Sequence, residues 1–192
     1  MAYSNSILKR IFDLVLGIIA AIIFFPFLLI SIIAIKLETK GPAFFLQDRS
    51  ARGDTLFKVF KLRTMVNNAD KIGPSLTQQS DFRITKVGRF LRRTSIDELP
   101  QIFNVLLGDM SFVGPRPEIP SITNEYSPEL KKVLDYKPGI TGKSQISGRA
   151  ALEIEPKIRM EIAYQEKATF WSDIVVLAKT PGAMISNEGN VM

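Results

Sequence analysis

The sequence predicts a mostly helical α+β fold with an N-terminal re-entrant membrane helix hairpin, a short β-hairpin and amphipathic interfacial helices. Three observations predict it. Residues 14–35 form a run of 22 without a charged side chain. One strand–turn–strand pattern follows, and most later segments have the apolar periodicity of helices. The 192 residues therefore divide into a membrane anchor, 1–40, and one integrated domain, 41–192.

The apolar run is long enough to cross a bilayer but contains a proline near its middle. As one helix it would rise about 33 Å, against a hydrocarbon core of about 30 Å. Pro26 lacks a backbone donor and restricts Phe25, so we expect a break at Phe25-Pro26. Because Lys and Arg flank both ends, and such flanks stay in the cytoplasm, a hairpin that enters and leaves by one face satisfies both observations. A single kinked spanning helix is the alternative.

The elements after the anchor follow from turn residues and apolar spacing. Strands are expected at 43–47 and 55–62, around a turn at 52–54. Helices are expected at 84–93, 100–107, 128–136, 156–167 and 170–179. The last of these groups its apolar residues, Trp171 among them, on one face. Such a face suits either the membrane interface or an ordinary core.

Charge and composition limit the chemistry that the chain can perform. Its net charge of +6 and pI near 9.6 favour anionic partners such as lipid headgroups, nucleotide phosphates or nucleic acid. There is no cysteine and no histidine. Thiolate chemistry, disulfides and imidazole bases are therefore excluded, and catalysis must rest on carboxylates, Lys, Arg, hydroxyls or a hard metal ion.

The residues that carry chemistry concentrate between positions 92 and 116. Asp97 and Glu98 come just before Pro100, which is at home in the first turn of a helix. A helix N-terminus favours ionised carboxylates and bound phosphate alike. Asp97 is therefore a candidate nucleophile or magnesium ligand. On spacing alone, the commoner explanation is structural, with Glu98 as a capping partner and Asp97 as a charge that complements the helix dipole.

Basic residues around the two acids favour a phosphate site. Arg93 precedes them, and Arg116 follows between two prolines that confine its backbone to extended geometry. A guanidinium fixed in this way suits bidentate phosphate binding. A second glycine-rich basic stretch spans 137–142, and Arg149 comes shortly after it. Together these residues predict a metal-assisted phosphate site.

At this point the motifs DELPQ, GDMSFVGPRP, KPGITG and SGR closely resemble those of the bacterial sugar transferase family, the monotopic phosphoglycosyl transferases. The resemblance covers nearly the whole chain and looks like the small, catalytic-domain-only form. It implies an enzyme on the cytoplasmic face of the bacterial inner membrane. Such an enzyme transfers a sugar 1-phosphate from a UDP-sugar to a polyprenol phosphate, undecaprenyl phosphate being expected, and releases UMP. The resemblance also implies Mg²⁺ as cofactor.

By the same matching, Asp97 is the nucleophile that forms an aspartyl phosphosugar, and Glu98 is its partner in catalysis and in metal binding. The residues expected at the phosphates or nucleotide are Arg93, Arg116, Arg149, Lys61, Arg63 and Thr64. Family members often carry a small polar residue where this chain has Phe25. UDP-hexoses and UDP-N-acetylhexosamines both remain open as donors, and a homodimer remains open as the assembly. A non-catalytic basic membrane scaffold is the competing class, and a nucleic-acid binder fits less well because aromatic and basic residues are not interleaved.

Overall fold

The computed structural model describes residues 3–73, 81–148 and 153–185. Helix α1, Ile7–Glu38, begins at Ser6, whose side chain accepts a hydrogen bond from the backbone N–H of Lys9. The helix continues through Pro26, so the break expected at Phe25-Pro26 does not divide it into two helices. A proline inside a helix removes one hydrogen bond and costs about 3 kcal/mol. Packing of the helix on both sides of Pro26 offsets this cost.

Helix α1 combines contact with the rest of the protein and a long exposed apolar surface. By length and composition alone it is able to cross a membrane. Ala20, on its N-terminal side, is buried, as are Leu28 and Ile35 on its C-terminal side. Between them, residues 22–27 are all exposed, which is more than one full turn. The middle of the helix therefore projects from the protein while both flanks pack against it.

The β-hairpin predicted from the sequence is confirmed. Strand β1, Phe44–Ser50, pairs antiparallel with β2, Leu56–Leu62. The turn between them contains Gly53 at φ 75°, a left-handed conformation that glycine adopts without strain. The buried Asn104 occupies the other edge of β2 by accepting from the Phe60 N–H and donating to the Lys58 carbonyl.

The remaining helices confirm most of the predicted positions. The helix predicted at 128–136 is a single α-helical turn followed by the 3-10 helix Lys132–Asp135, and the last helix ends at Ile185 rather than near 179. The helices are α2 Lys86–Thr94, α3 Gln101–Leu107, α4 Pro120–Thr123, α5 Pro128–Lys131, α6 Lys143–Ile146, α7 Ile154–Lys167 and α8 Phe170–Ile185.

Two short parallel strands, β3 Ser111–Val113 and β4 Gly139–Thr141, were not expected from the sequence. Their backbones approach closely at Gly114 and Gly139. A Cβ added to Gly139 would lie 2.1 Å from the Gly114 nitrogen, so neither position accepts a side chain. The glycines of this stretch, which the sequence suggested for approach to a diphosphate, serve the contact between strands.

Two apolar clusters connect these elements. The first core joins α1, β2, α3 and β3 and includes Ala20, Val59, Val105 and Phe112. The second core joins the C-terminal half of α1 to β2 and α2. Its buried residues are Leu28, Ile35, Ala43, Leu62 and Leu91, and Ile32, Val87, Ile96 and Leu99 pack against them.

Candidate active site

A tight reversal of the chain places the two acidic residues between α2 and α3. Helix α2 ends at Thr94, and Ser95, which follows it, adopts a left-handed conformation at φ 55°. The 3-10 helix Ile96–Glu98 follows, and α3 then begins after Pro100. A capping box would need the Ser95 side chain to accept a hydrogen bond from the backbone, and Ser95 makes no such bond. Glu98 is therefore not explained as the partner in a capping box.

Glu98 is held by two cations that come from distant parts of the chain. Its Oε1 accepts hydrogen bonds from Lys61 Nζ at 3.1 Å and from Arg116 Nη2 at 2.9 Å. Burial alone would raise the pKa of this carboxyl, but the charges of Arg116 and Lys61 outweigh it and hold the pKa well below its usual range. Glu98 is therefore ionised at any physiological pH and links β2 to the segment after β3.

Asp97 experiences the opposite shift. Burial, and then the negative charge of Glu98, raise its pKa to about 6, although Lys61 and Arg92 act against the shift. Two neighbouring carboxylates with separated pKa values are a recurring feature of catalytic sites. At pH 7 Asp97 is still mostly ionised, and its charge is less fully neutralised than that of Glu98.

Arg49 is a basic residue of this region that the sequence did not single out. Its Nη1 donates to the Pro117 carbonyl at 3.1 Å, and its Nη2 donates to Gln47 Oε1 at 2.7 Å. The bond to Pro117 places Arg49 next to the residue that follows Arg116, and burial, then the like charge of Arg116, lower the pKa of Arg49. The alternation of β1 contained the signal, because residues 45, 47 and 49 share one face of the strand.

Two of the predicted phosphate ligands make hydrogen bonds to protein groups in this structure. The buried Arg63 donates to the carbonyls of Lys40 and Thr39 and to the Thr39 hydroxyl, at 2.8–2.9 Å. It thereby caps the C-terminus of α1. The hydroxyl of Thr64 accepts a hydrogen bond from Arg92 Nε at 2.8 Å. In the described part of the chain Arg63 makes no hydrogen bond to either acid. Thr64 is related to the site through Arg92, whose charge acts on Asp97.

Two further predicted residues lie outside this cluster of contacts. Arg93 is exposed in the last turn of α2, two residues before the reversal at Ser95. Arg149 lies outside the described residues. The site seen in the structure therefore consists of Asp97, Glu98, Lys61 and Arg116, with Arg49 beside them.

The two carboxylates are a better match for a magnesium ion than for a metal that takes all of its ligands from the protein. Within the described ranges no group of three or more His, Cys, Asp or Glu side chains is arranged to hold a metal. Mg²⁺ commonly takes only one or two protein carboxylates and completes its coordination with water and substrate phosphate. Asp97 and Glu98, which repel each other, match that donor set.

Comparison with known proteins identifies the family of the chain. The model of the family described as "Bacterial sugar transferase" matches residues 4–187. This chain belongs to the bacterial sugar transferase family. The match covers helix α1, the acidic pair and both segments that supply its cations.

Three curated relatives illustrate the family. The chain is 39% identical over 188 residues to UDP-glucose:undecaprenyl-phosphate glucose-1-phosphate transferase of Caulobacter vibrioides, covering 94% of this chain and 70% of that protein. It is 36% identical over 188 residues to UDP-N-acetylgalactosamine-undecaprenyl-phosphate N-acetylgalactosaminephosphotransferase of Aeromonas hydrophila, covering 95% and 44%. It is 37% identical over 201 residues to undecaprenyl-phosphate galactose phosphotransferase of Salmonella typhimurium, covering 97% and 42%. This sugar transferase thus spans less than half the length of two of these three relatives.

Proposed function

We propose that this sugar transferase moves a sugar 1-phosphate from a UDP-sugar to a polyprenol phosphate, undecaprenyl phosphate in particular, and releases UMP. The reaction would start the synthesis of a lipid-linked glycan. The relatives' names support the two substrate classes, since all three name undecaprenyl phosphate and two name a UDP-sugar. Those names differ in the sugar, so hexoses and N-acetylhexosamines are both candidate donors.

The observation that carries this proposal is the arrangement of the acidic pair. Glu98 is fixed by Lys61 and Arg116, while Asp97 beside it has a raised pKa of about 6. The carboxylate of Asp97 is therefore the less stabilised of the two and the better nucleophile. The neighbouring cations supply positive charge where a diphosphate must bind.

In the first half of the proposed reaction, an Asp97 carboxylate oxygen attacks the sugar-bearing phosphorus. The bond from that phosphorus to the bridging oxygen breaks, and UMP leaves with the electron pair. In the second half, a phosphate oxygen of the polyprenol phosphate attacks the aspartyl phosphosugar. The Asp97 carboxylate is regenerated, and the product is a polyprenol diphosphate sugar. No proton transfer to a base is needed in either half because both nucleophiles are anions.

Arg116 and Lys61 bind and orient in this scheme. Arg116 presents a guanidinium from a segment confined by Pro115 and Pro117, and 39% of its side chain is exposed, so it remains accessible to a ligand. Asp97 and Glu98 would hold Mg²⁺, which supplies neutralisation of diphosphate charge when bound.

We also propose that α1 is a re-entrant anchor on the cytoplasmic face of the inner membrane. Its N-terminal end is bound to the domain, because the buried Lys9 pairs with Asp173 and Arg10 donates to the Leu106 carbonyl. Its C-terminal end is bound as well, because Glu38 accepts from the backbone of α2. Because both ends of the helix bind the same domain, we expect both ends on the same side of the membrane. This supports an anchor that enters and leaves by one face.

Cysteine labelling tests this topology, since the natural chain has no cysteine. Single cysteines at Asn5 and Lys40 are introduced separately and treated with a membrane-impermeant reagent from each side of inverted and right-side-out vesicles. Both positions should react only from the cytoplasmic side. Reaction from opposite sides would establish a spanning helix instead.

The reaction is tested by UMP release in the presence of Mg²⁺, a polyprenol phosphate and a panel of UDP-sugars. Asp97→Asn should abolish release with the productive donor, while Asp48→Asn, on the exposed surface of the β-hairpin, should retain it. No release with any donor by the natural chain would favour a non-catalytic membrane scaffold. Wild-type release by Asp97→Asn would remove the nucleophile role.

A further inference from the structure

The β-hairpin presents one face that changes from apolar to basic along its length, and this face passes the acidic pair. Phe45, Gln47 and Arg49 alternate on this face of β1. Phe45 lies directly opposite Lys61 in the register of the sheet, and Lys61 binds Glu98 at 3.1 Å. Arg49, further along, contacts the segment just after Arg116. The two ends of this face therefore border the same site from two sides.

Phe45 is the exposed apolar member of this face. Its exposed fraction is 44%, whereas the Lys61 side chain opposite it is only 18% exposed. Directly opposed side chains of an antiparallel pair have Cβ atoms about 4.5–5.5 Å apart. The Phe45 side chain therefore lies next to Lys61, the residue that binds Glu98.

The second core connects this end of the β-hairpin to helix α1. Ile96 and Leu99, on either side of the acidic pair, pack against that core. Leu28 and Ile35 of α1 belong to its buried part. Ala43, two residues before Phe45, belongs to it too. This core therefore packs the residues that flank Asp97, together with the start of β1, against the C-terminal half of α1, the proposed anchor.

We propose that Phe45 binds the first isoprene units of the polyprenol phosphate and so forms part of the acceptor subsite. This inference rests on the proposed function. The acceptor's phosphate must reach Asp97 while its hydrocarbon chain stays in contact with the bilayer, which demands apolar surface immediately beside the phosphate position. Phe45 supplies it at the membrane-anchor end of the hairpin face. Arg49 lies at the other end, where the charged donor would bind without crossing the lipid path.

Kinetics with separately varied substrates test the acceptor role. Phe45→Ala should raise the KM for polyprenol phosphate roughly fivefold or more, as expected for lost burial of about half a phenyl ring. The KM for the UDP-sugar should not change. Phe45→Leu should restore most of the acceptor KM because it keeps an apolar side chain.

Leu56→Ala is the matched control. Leu56 is also an exposed apolar residue of the β-hairpin, at 61%, but it pairs with Ser50, about 17 Å along the strand from the Phe45 position at about 3.4 Å per residue. This variant should leave both KM values unchanged. An equal rise of the acceptor KM in both variants would overturn the proposal.

Two further measurements separate the acceptor from other occupants of this surface. Each variant is tested for co-sedimentation with vesicles that lack polyprenol phosphate, and for molecular mass in detergent. If Phe45 binds the acceptor, vesicle binding and molecular mass should both be unchanged in Phe45→Ala. Loss of vesicle binding by Phe45→Ala would assign the ring to bilayer contact, and a change in mass would assign it to a second copy of the chain. Either result overturns the proposal.

Equilibrium binding keeps this test separate from the proposed function. Labelled polyprenol phosphate is titrated into each protein in detergent micelles without donor, and Phe45→Ala should weaken its binding roughly fivefold. A natural chain that binds this lipid through Phe45 but releases no UMP would refute the reaction and leave the subsite standing. If the natural chain is fully active and Phe45→Ala binds the lipid with unchanged affinity, the acceptor subsite is refuted and the proposed reaction is retained.

Discussion

Replacing Asp97 with Asn should make the protein more stable at neutral pH while removing its activity. Burial and the charge of Glu98 raise the pKa of Asp97 from 3.8 to about 6. A carboxyl with a raised pKa binds its proton more tightly in the folded state, so ionisation above that pKa weakens folding. Asparagine resembles the protonated acid in shape and never ionises.

The size of the effect follows from the shift. A difference of about two pKa units corresponds to about 3 kcal/mol, and partial solvent contact of Asp97 reduces this to about 2 kcal/mol. In a chain of this size that amount raises the unfolding temperature by about 4–8 °C. The gain should be complete above pH 7. It should fall to about a third at pH 4.5, where folded Asp97 is protonated and most of the unfolded carboxyl is not.

Thermal unfolding in detergent, with EDTA present to remove metal ions, measures this difference at both pH values. Asp48→Asn is the matched control, because the Asp48 side chain is 54% exposed and carries no burial penalty. Its unfolding temperature should stay within about 2 °C of the natural chain at both pH values. An Asp97→Asn variant less stable than the natural chain at pH 7.5, or equally stabilised at pH 4.5, would refute the electrostatic reasoning.

Three other predictions concern the neighbouring residues. Glu98→Gln should lower the pKa of Asp97, because a negative neighbour is removed; carboxyl NMR titration of the metal-free protein measures it, and an unchanged or higher value would contradict the coupling. Arg116→Ala should reduce kcat/KM about tenfold or more, as expected for a lost charged hydrogen bond of about 1.5–3 kcal/mol. The control Arg159→Ala, at an exposed arginine, should not reduce it. Equal kinetics in the two variants would show that Arg116 is dispensable. Arg63→Ala should lower the unfolding free energy by about 2 kcal/mol or more and leave the donor KM of the folded fraction unchanged; a raised donor KM would return Arg63 to the substrate site.

Local sequence patterns predicted the elements whose signals are short-range. The β-hairpin was predictable because Gly53 marks the turn and apolar residues alternate on both sides. Helix α3 was predictable because Pro100 begins it and Gly108 ends it. The continuity of α1 through Pro26 was not, because it depends on packing of both flanks against the rest of the protein.

The parallel pair β3 and β4 was not predictable from local pattern. Each strand has three residues, which is too short for a periodic signal. Their pairing joins Ser111 to Gly139, far apart in the sequence. From the sequence alone, the glycines that make this contact possible are equally consistent with a ligand-binding loop, because the partner strand is not known.

The site was predicted in part. The acidic pair, Lys61 and Arg116 were named from the sequence, and the structure brings both cations to Glu98. Arg63 was named with Lys61 from the family resemblance. Its hydrogen bonds to Thr39 and Lys40 join distant parts of the chain and could not be predicted from local pattern. Arg49 was missed because strand alternation does not show its tertiary contact with Pro117, the residue after Arg116.

A covalent phosphosugar on Asp97 is the most direct test of the account. The natural protein is mixed with Mg²⁺ and its productive UDP-sugar, quenched rapidly without acceptor, digested and examined by mass spectrometry. We expect a phosphosugar mass on the peptide that contains Asp97, and its loss when polyprenol phosphate is added before the quench. Product formation at full rate with no adduct on that peptide at any time point would contradict it.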